Sequence, residues 1–245
     1  RIDALYEKNV LEKADKIVVV SDFIKQLFLK KSSNINPEKI AVIPNGYDEE
    51  DFILSKTISK KENILIAYNG TLSDDYPIRS FIEALKTILN ENTSLMLSVQ
   101  FTGSVSQEVK QYISKEIPNN CFFREHVPHK KSVEILLESD ILLLLIPEVA
   151  NNEGILTGKL FEYLAAENPI LCIGPKLGNA AAIIEKCMSG KTFEKDEIAA
   201  ISSYLKDLIM QLLSDKNIRI NNQLNQIYSR KNLSKDMAGL ICALK

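Results

Sequence analysis

Two rhythms of apolar residues alternate along this chain. Short runs that are apolar throughout, or nearly so, read as strands: Ile64–Tyr68, Leu95–Phe101, Asn120–Glu125, Ile141–Ile146, Pro169–Ile173 and Lys191–Phe193. Between them, apolar positions recur every three or four residues, which predicts helices near 77–90, 105–116, 131–138, 157–166 and 178–187. The run Ile141-Leu142-Leu143-Leu144-Leu145 has no polar side to turn to water. A strand of that kind is buried on both faces, as in a parallel sheet covered by helices. The expected fold is therefore α/β, with a doubly wound, mostly parallel, Rossmann-like sheet.

The flanks read differently. Residues 2–14 carry Ile2, Leu5, Tyr6, Val10, Leu11 and Ala14 at helical spacing, followed by a strand over Ile17–Val20. Ser21 can cap a helix near 22–30, and a strand over Ile40–Ile43 stops at the turn Pro44-Asn45-Gly46. The polar, acidic stretch 48–62 reads as a linker, and beyond residue 196 only helices are expected, near 196–213, 215–229 and 231–244.

Composition narrows the chemistry. The 245 residues carry a net charge of −2 with both signs interspersed, so no nucleic-acid-binding surface is expected. The longest apolar run is strand-length and too short to cross a bilayer. Cys121, Cys172, Cys187 and Cys242 are widely spaced with no C-x-x-C pair, which fits a reducing, cytoplasmic compartment. His126 and His129 are the sole histidines and no Cys pair accompanies them, so no zinc site is expected; no resident cofactor is expected either. The chain opens on Arg1 with no visible signal peptide, and we expect it to be a piece of a longer protein.

One segment stands out chemically. Thr157-Gly158-Lys159-Leu160-Phe161-Glu162 starts a helix that runs through Pro169 into a buried strand. Thr157 can cap that helix, and its first free N–H groups with the Lys159 ammonium would meet an anion. Glu162, one turn on, suits a sugar hydroxyl. A cation at a helix start and an acid one turn later point to a nucleotide. In an open parallel sheet, ligands sit at the carboxyl ends of strands. The loops there begin at Asn69-Gly70-Thr71-Leu72, Thr102-Gly103-Ser104, His126-Val127-Pro128-His129, Pro147 (through Leu156) and Gly174-Pro175. Neither a G-x-G-x-x-G nor a G-x-x-x-x-G-K-[ST] pattern is present, which argues against dinucleotide redox chemistry and P-loop hydrolysis. The two histidines bracketing Val127-Pro128 read as surface residues.

These segments together resemble family 4 retaining glycosyltransferases. Ala14-Asp15-Lys16-Ile17-Val18-Val19-Val20-Ser21, then Val42-Ile43-Pro44-Asn45-Gly46-Tyr47-Asp48 through Phe52, look like that family's interdomain region. Gly70, Val127-Pro128, Ser139-Asp140-Ile141, Lys159 to Ala165 with Pro169-Ile170, and Tyr228-Ser229-Arg230 follow in the family's order. The resemblance implies the two-domain B-type fold. Residues 1–45 would be the tail of an N-terminal domain and 46–62 an interdomain linker. Residues 63–195 would form the donor-binding Rossmann-like domain, with 196–245 as helices packing back toward the N-terminal domain. The implied reaction moves a sugar, with retention and without a metal, from a nucleotide-diphosphate sugar to a hydroxyl of an acceptor glycan or lipid-linked saccharide. Peripheral membrane association through the N-terminal half is a further implication.

Carried over residue by residue, Glu162 matches the glutamate that hydrogen-bonds the ribose. The backbone around Val127 and Pro128 would hold the base, and Gly70 and Thr71 would approach the diphosphate. The loop 153–157 would meet sugar and phosphates, with Thr157 at its end. Lys159 is added as a phosphate ligand by the helix-start argument. The chain departs from the family where Gly154 stands in place of a first glutamate, with Glu153 one residue out of register as a catalytic candidate. Thr71 and Tyr76 occupy positions where an Arg and a Lys commonly bind the diphosphate; Arg79 and Lys159 are the nearest stand-ins. Two alternatives remain open: a non-catalytic nucleotide-sugar-binding subunit, and a sugar-nucleotide epimerase.

Overall fold

The computed structural model describes residues 2–53, 63–214, 220 and 223–244. Its centre is a six-stranded parallel sheet of β3 (Ile64–Asn69), β4 (Leu97–Thr102), β5 (Cys121–Arg124), β6 (Ile141–Leu145), β7 (Ile170–Ile173) and β8 (Gly190–Phe193). The spatial order is β5-β4-β3-β6-β7-β8. The chain winds outward from β3 to one edge, returns to β6 beside β3, then winds to the other edge. The expected doubly wound α/β fold is therefore present, with its topological switch point between β3 and β6.

The apolar runs become strands because their residues serve two cores in turn. Ile141, Leu143 and Leu145 enter one core; Leu142 and Leu144 enter the other. The first core is closed by α3 (Ile78–Glu91), α4 (Gln107–Glu116) and α8 (Ile198–Ser214). The second is closed by α5 (His129–Glu138), α6 (Gly158–Ala166) and α7 (Asn179–Lys186). With every residue of β3, β6 and β7 buried, no register slip could expose one face without exposing leucines and isoleucines.

The N-terminal segment has a core of its own. It comprises α1 (Ile2–Lys13), β1 (Ile17–Val19), α2 (Asp22–Leu29) and β2 (Ile40–Val42), with β1 and β2 paired in parallel over Leu11, Val19, Ile35 and Ile40. Ser21 caps α2 as expected, its hydroxyl accepting from the Ile24 N–H at 3.3 Å. Ile2, Leu5, Tyr6 and Val10 of α1 are exposed, so that helix keeps an apolar face to solvent. The final helix, α9 (Arg230–Cys242), is tied to the stretch after Gly46: the Tyr47 N–H donates to the Tyr228 carbonyl (3.1 Å) and the Arg230 N–H to the Tyr47 carbonyl (2.8 Å).

Two expectations change. The expected helix over 215–229 is a 3-10 turn at Gln223–Tyr228, with residues 215–219 and 221–222 outside the described residues. In that turn Asn225 is buried, donating to the Leu164 carbonyl (2.9 Å), and its own carbonyl accepts from the Tyr47 hydroxyl (3.3 Å). These bonds across the chain hold it in place of a continuing ladder. Of the expected linker, 54–62 likewise lie outside the described residues, and Glu49–Phe52 form a 3-10 turn. Among the described residues no helix is long and apolar enough to cross a membrane.

Candidate nucleotide site

The crevice at the switch point collects three chain segments. The first is the end of β3, Asn69-Gly70. Gly70 has φ +125°, a conformation that favours glycine, and this turns the chain away from the sheet. A Cβ at Gly70 would stand 3.0 Å from the Lys159 Nζ. The backbone of one residue and the ammonium of the other are thus neighbours across the crevice.

The second segment is the start of α6. Thr157 sits at the N-cap with extended backbone, but its hydroxyl makes no cap bond and is buried without a partner. The expected side-chain cap is therefore not formed. Lys159 does not extend along the helix axis into water. Its amine donates to the Tyr68 hydroxyl at 2.8 Å, and lies 4.4 Å from the Tyr68 ring centre and 5.5 Å from that of Tyr76. Burial holds the amine down at about 8, far below the ordinary 10.5. The two rings offer their negative faces in partial compensation. Tyr76, where the resemblance leads us to expect a loop cation, turns its ring to a lysine supplied by α6.

A pair of buried hydroxyl and amide groups fixes this geometry. The Tyr163 hydroxyl, fully buried on α6, accepts from the Asn69 N–H (3.2 Å) and donates to the Leu143 carbonyl of β6 (3.3 Å). Desolvation pushes both Tyr163 and Tyr68 well above the usual phenol range, so both remain neutral donors. The Tyr68 hydroxyl donates to the Thr71 carbonyl at 2.5 Å, clasping the turn that follows Gly70. Asn69 Nδ2 donates to Ser132 Oγ at 3.0 Å on α5, while its Oδ1 is buried without a partner. Sequence reasoning missed Tyr68 and Tyr163, which look like core residues, and placed Asn69 only at the start of a loop. A phenol or amide inside a strand or helix with no polar face was the available signal, because such a group must find a partner.

The third segment is the start of α5. Val127 packs on the second core and Pro128 holds the N-cap position. His129 is exposed, as expected, and it has partners there: its Nε2 lies 3.2 Å from Glu162 Oε1 and its Nδ1 3.8 Å from Asp51 Oδ2. Glu162 follows Lys159 by three residues, which sets both on one side of α6. His126 is exposed and Thr71 presents its side chain to solvent.

Other candidates lie apart from this cluster. Arg79 stacks on Tyr112, 4.3 Å from its ring centre, at the start of α3. Glu153 is exposed and lines a cavity of about 440 Å³ with Glu148, Pro175, Glu194 and Lys195 at the ends of β6, β7 and β8. Gly154 has a steric reason to lack a side chain. A Cβ there would come within 2.3 Å of the Phe23 ring, which projects from α2.

Comparison with known proteins agrees with this architecture. Residues 1–51 match the model for Glycosyltransferase Family 4. A glycosyltransferase from Rickettsia africae superposes with a TM-score of 0.74 at 16% identity, covering 100% of this chain and 68% of that one. Anabaena HepE in complex with UDP and glucose gives 0.71 at 15%, covering 99% and 67%. S. aureus TarM, a mutant in complex with fondaparinux, α-GlcNAc-glycerol and UDP, gives 0.66 at 14%, covering 98% and 46%. The chain thus spans 46 to 68% of the length of these proteins. No curated protein matches it in sequence. The resemblance read from the motifs is borne out at the level these matches reach: residues 1–51 match the family 4 model, and the chain has the fold of these glycosyltransferases.

Proposed function

We propose that this chain is the donor-binding half of a retaining, metal-independent glycosyltransferase that moves a sugar from a nucleoside-diphosphate sugar to an acceptor hydroxyl on a glycan or lipid-linked saccharide. The observation that carries the reading is the closeness of Lys159 to the Gly70 turn at the switch point of the sheet, with Glu162 three residues further along α6. The leaving group would be a nucleoside diphosphate. Without a metal, its growing charge needs cations and backbone donors in a partly dry site. Lys159 supplies the cation beside the Gly70 turn, Glu162 accepts from the ribose, and Val127-Pro128 border the base. The division into an N-terminal tail (1–45), linker (46–62), donor domain (63–195) and returning helices (196–245) belongs to the same reading. The exposed apolar face of α1 fits a segment that packs on further structure.

A second reading, nucleotide-sugar binding without turnover, is favoured by one observation: the Phe23 ring lies 2.3 Å from where a Cβ of residue 154 would stand, so a glutamate there would require the ring to move. Calorimetric titration with UDP, GDP and ADP tests the donor site, and UDP comes first because HepE and TarM structures hold it. No binding at millimolar nucleotide sinks the proposal. Glu162→Ala should weaken the nucleotide that binds by roughly tenfold or more, the loss of hydrogen bonds to a charged group. Acceptor-dependent release of nucleotide by the full-length protein separates turnover from binding alone.

A further inference from the structure

We infer that His129 is a positioning residue that holds Glu162 for the nucleotide ribose and ties it, through Asp51, to the 3-10 turn at Glu49–Phe52. The inference rests on the donor-site reading above. His129 stands at the first position of α5, a helix whose start is set by Pro128 and whose Ser132 is bonded to Asn69 at the end of β3. The ring therefore has a fixed base. Its Nε2 meets Glu162 Oε1 at 3.2 Å, and its Nδ1 faces Asp51 Oδ2 at 3.8 Å.

The donor and acceptor inventory gives the arrangement a use. A carboxylate carries two oxygens with about four acceptor directions. His129 occupies one of those on Oε1, which leaves the second direction of Oε1 and the whole of Oε2 for two neighbouring ribose hydroxyls. Without the ring, Glu162 is a flexible side chain on a partly exposed helix face. It would have to lose its rotamer freedom each time nucleotide bound. An Nε2–H donates to Glu162, whereas Asp51, 3.8 Å from Nδ1, lies beyond hydrogen-bond reach. Asp51 faces the other edge of the ring and acts on it through its charge alone. Because Asp51 lies just after the Pro44-Asn45-Gly46 turn, the ribose carboxylate is joined to the segment that leads from the N-terminal unit into the sheet domain.

The test compares a nucleoside diphosphate with its 2′,3′-dideoxy analogue by calorimetry on the full 245-residue chain, using whichever of UDP, GDP and ADP binds the wild type. His129→Ala should reduce the preference for the ribose form by roughly five- to tenfold and leave affinity for the dideoxy analogue unchanged. His129→Gln, whose amide can still donate to Glu162, should recover most of that preference. Asp51→Asn should give an intermediate loss. An unchanged preference in His129→Ala, an equal loss for both nucleotides, or failure of the Gln variant to recover it overturns the positioning role while donor binding stands. Absence of binding by the wild type overturns the donor site itself, and this role with it. Thermal melting of each variant identifies a fold defect, which would weaken both nucleotides alike.

Discussion

Exchanging Lys159 for methionine should raise stability and lower ligand affinity together, since the amine is costly to the fold and useful to the site. Burial brings its pKa from 10.5 down to about 8. At about 1.36 kcal/mol per pH unit, that difference is a penalty of roughly 3 kcal/mol for keeping the charged amine in the folded chain near neutral pH. Contact with the Tyr68 and Tyr76 rings returns about 0.5–2 kcal/mol of it, and methionine retains the packing of the stem but not the charge. The expected net gain for Lys159→Met at pH 7 is therefore about 1–3 kcal/mol. The sign with pH follows from linkage. Between about 8 and 10.5 the unfolded chain binds the proton and the folded chain does not, so this group adds stability as pH rises through that window. Below about 8 both states are protonated and the full penalty remains. Urea unfolding of wild type and variant at pH 7 and pH 10 measures it: the variant's advantage should shrink at pH 10. An advantage that stays constant, or a variant less stable at pH 7, refutes the reasoning. The same amine makes a binding prediction. At pH 8 it is about half protonated, so a diphosphate placed beside it should draw in roughly half a proton, read as a buffer-dependent heat of binding. The methionine variant should bind 10- to 100-fold more weakly and without that proton uptake, the scale of a lost charge-assisted hydrogen bond.

Three further substitutions probe the frame of the site. Gly70→Ala forces a side chain into φ +125° with Lys159 Nζ 3.0 Å from the new Cβ; unfolding should show a loss of about 1–3 kcal/mol, together with weaker nucleotide binding. Gly154→Ala should cost about 1–3 kcal/mol because the new Cβ meets the Phe23 ring, and in a double-mutant cycle Phe23→Ala should remove much of that cost. Ser229→Ala removes a fully buried cap that accepts from the Asn232 N–H at 3.3 Å, and should lower stability by about 1 kcal/mol in the same unfolding assay.

Much of the fold was legible because its strands are apolar on both faces. β3, β6 and β7 lie within a residue of their expected limits: no other arrangement hides Ile141 to Leu145 from water. The helix at Gly158–Ala166 was equally plain from its spacing and the glycine-rich start. The region after Ser214 was less so. Buried side-chain bonds from Asn225 and Tyr47 replace a helical ladder there, and such long-range partners leave no mark in local periodicity. The partners of His129 were hidden for the same reason, since Glu162 and Asp51 lie 33 and 78 positions away along the chain.

By itself the sequence determined the parallel α/β sheet, the positions of its loops, and the chemical kinds of side chain available at its carboxyl edge. Apolar runs and turn residues act over a few positions, and a chain shows those directly. Only the tertiary structure decided where the winding reverses between β3 and β6, and that the Lys159 amine of α6 lies against the Gly70 turn. It also decided that the Phe23 ring of α2 lies against Gly154. Each of these is a meeting of residues distant in sequence, set by which faces of the sheet the helices cover.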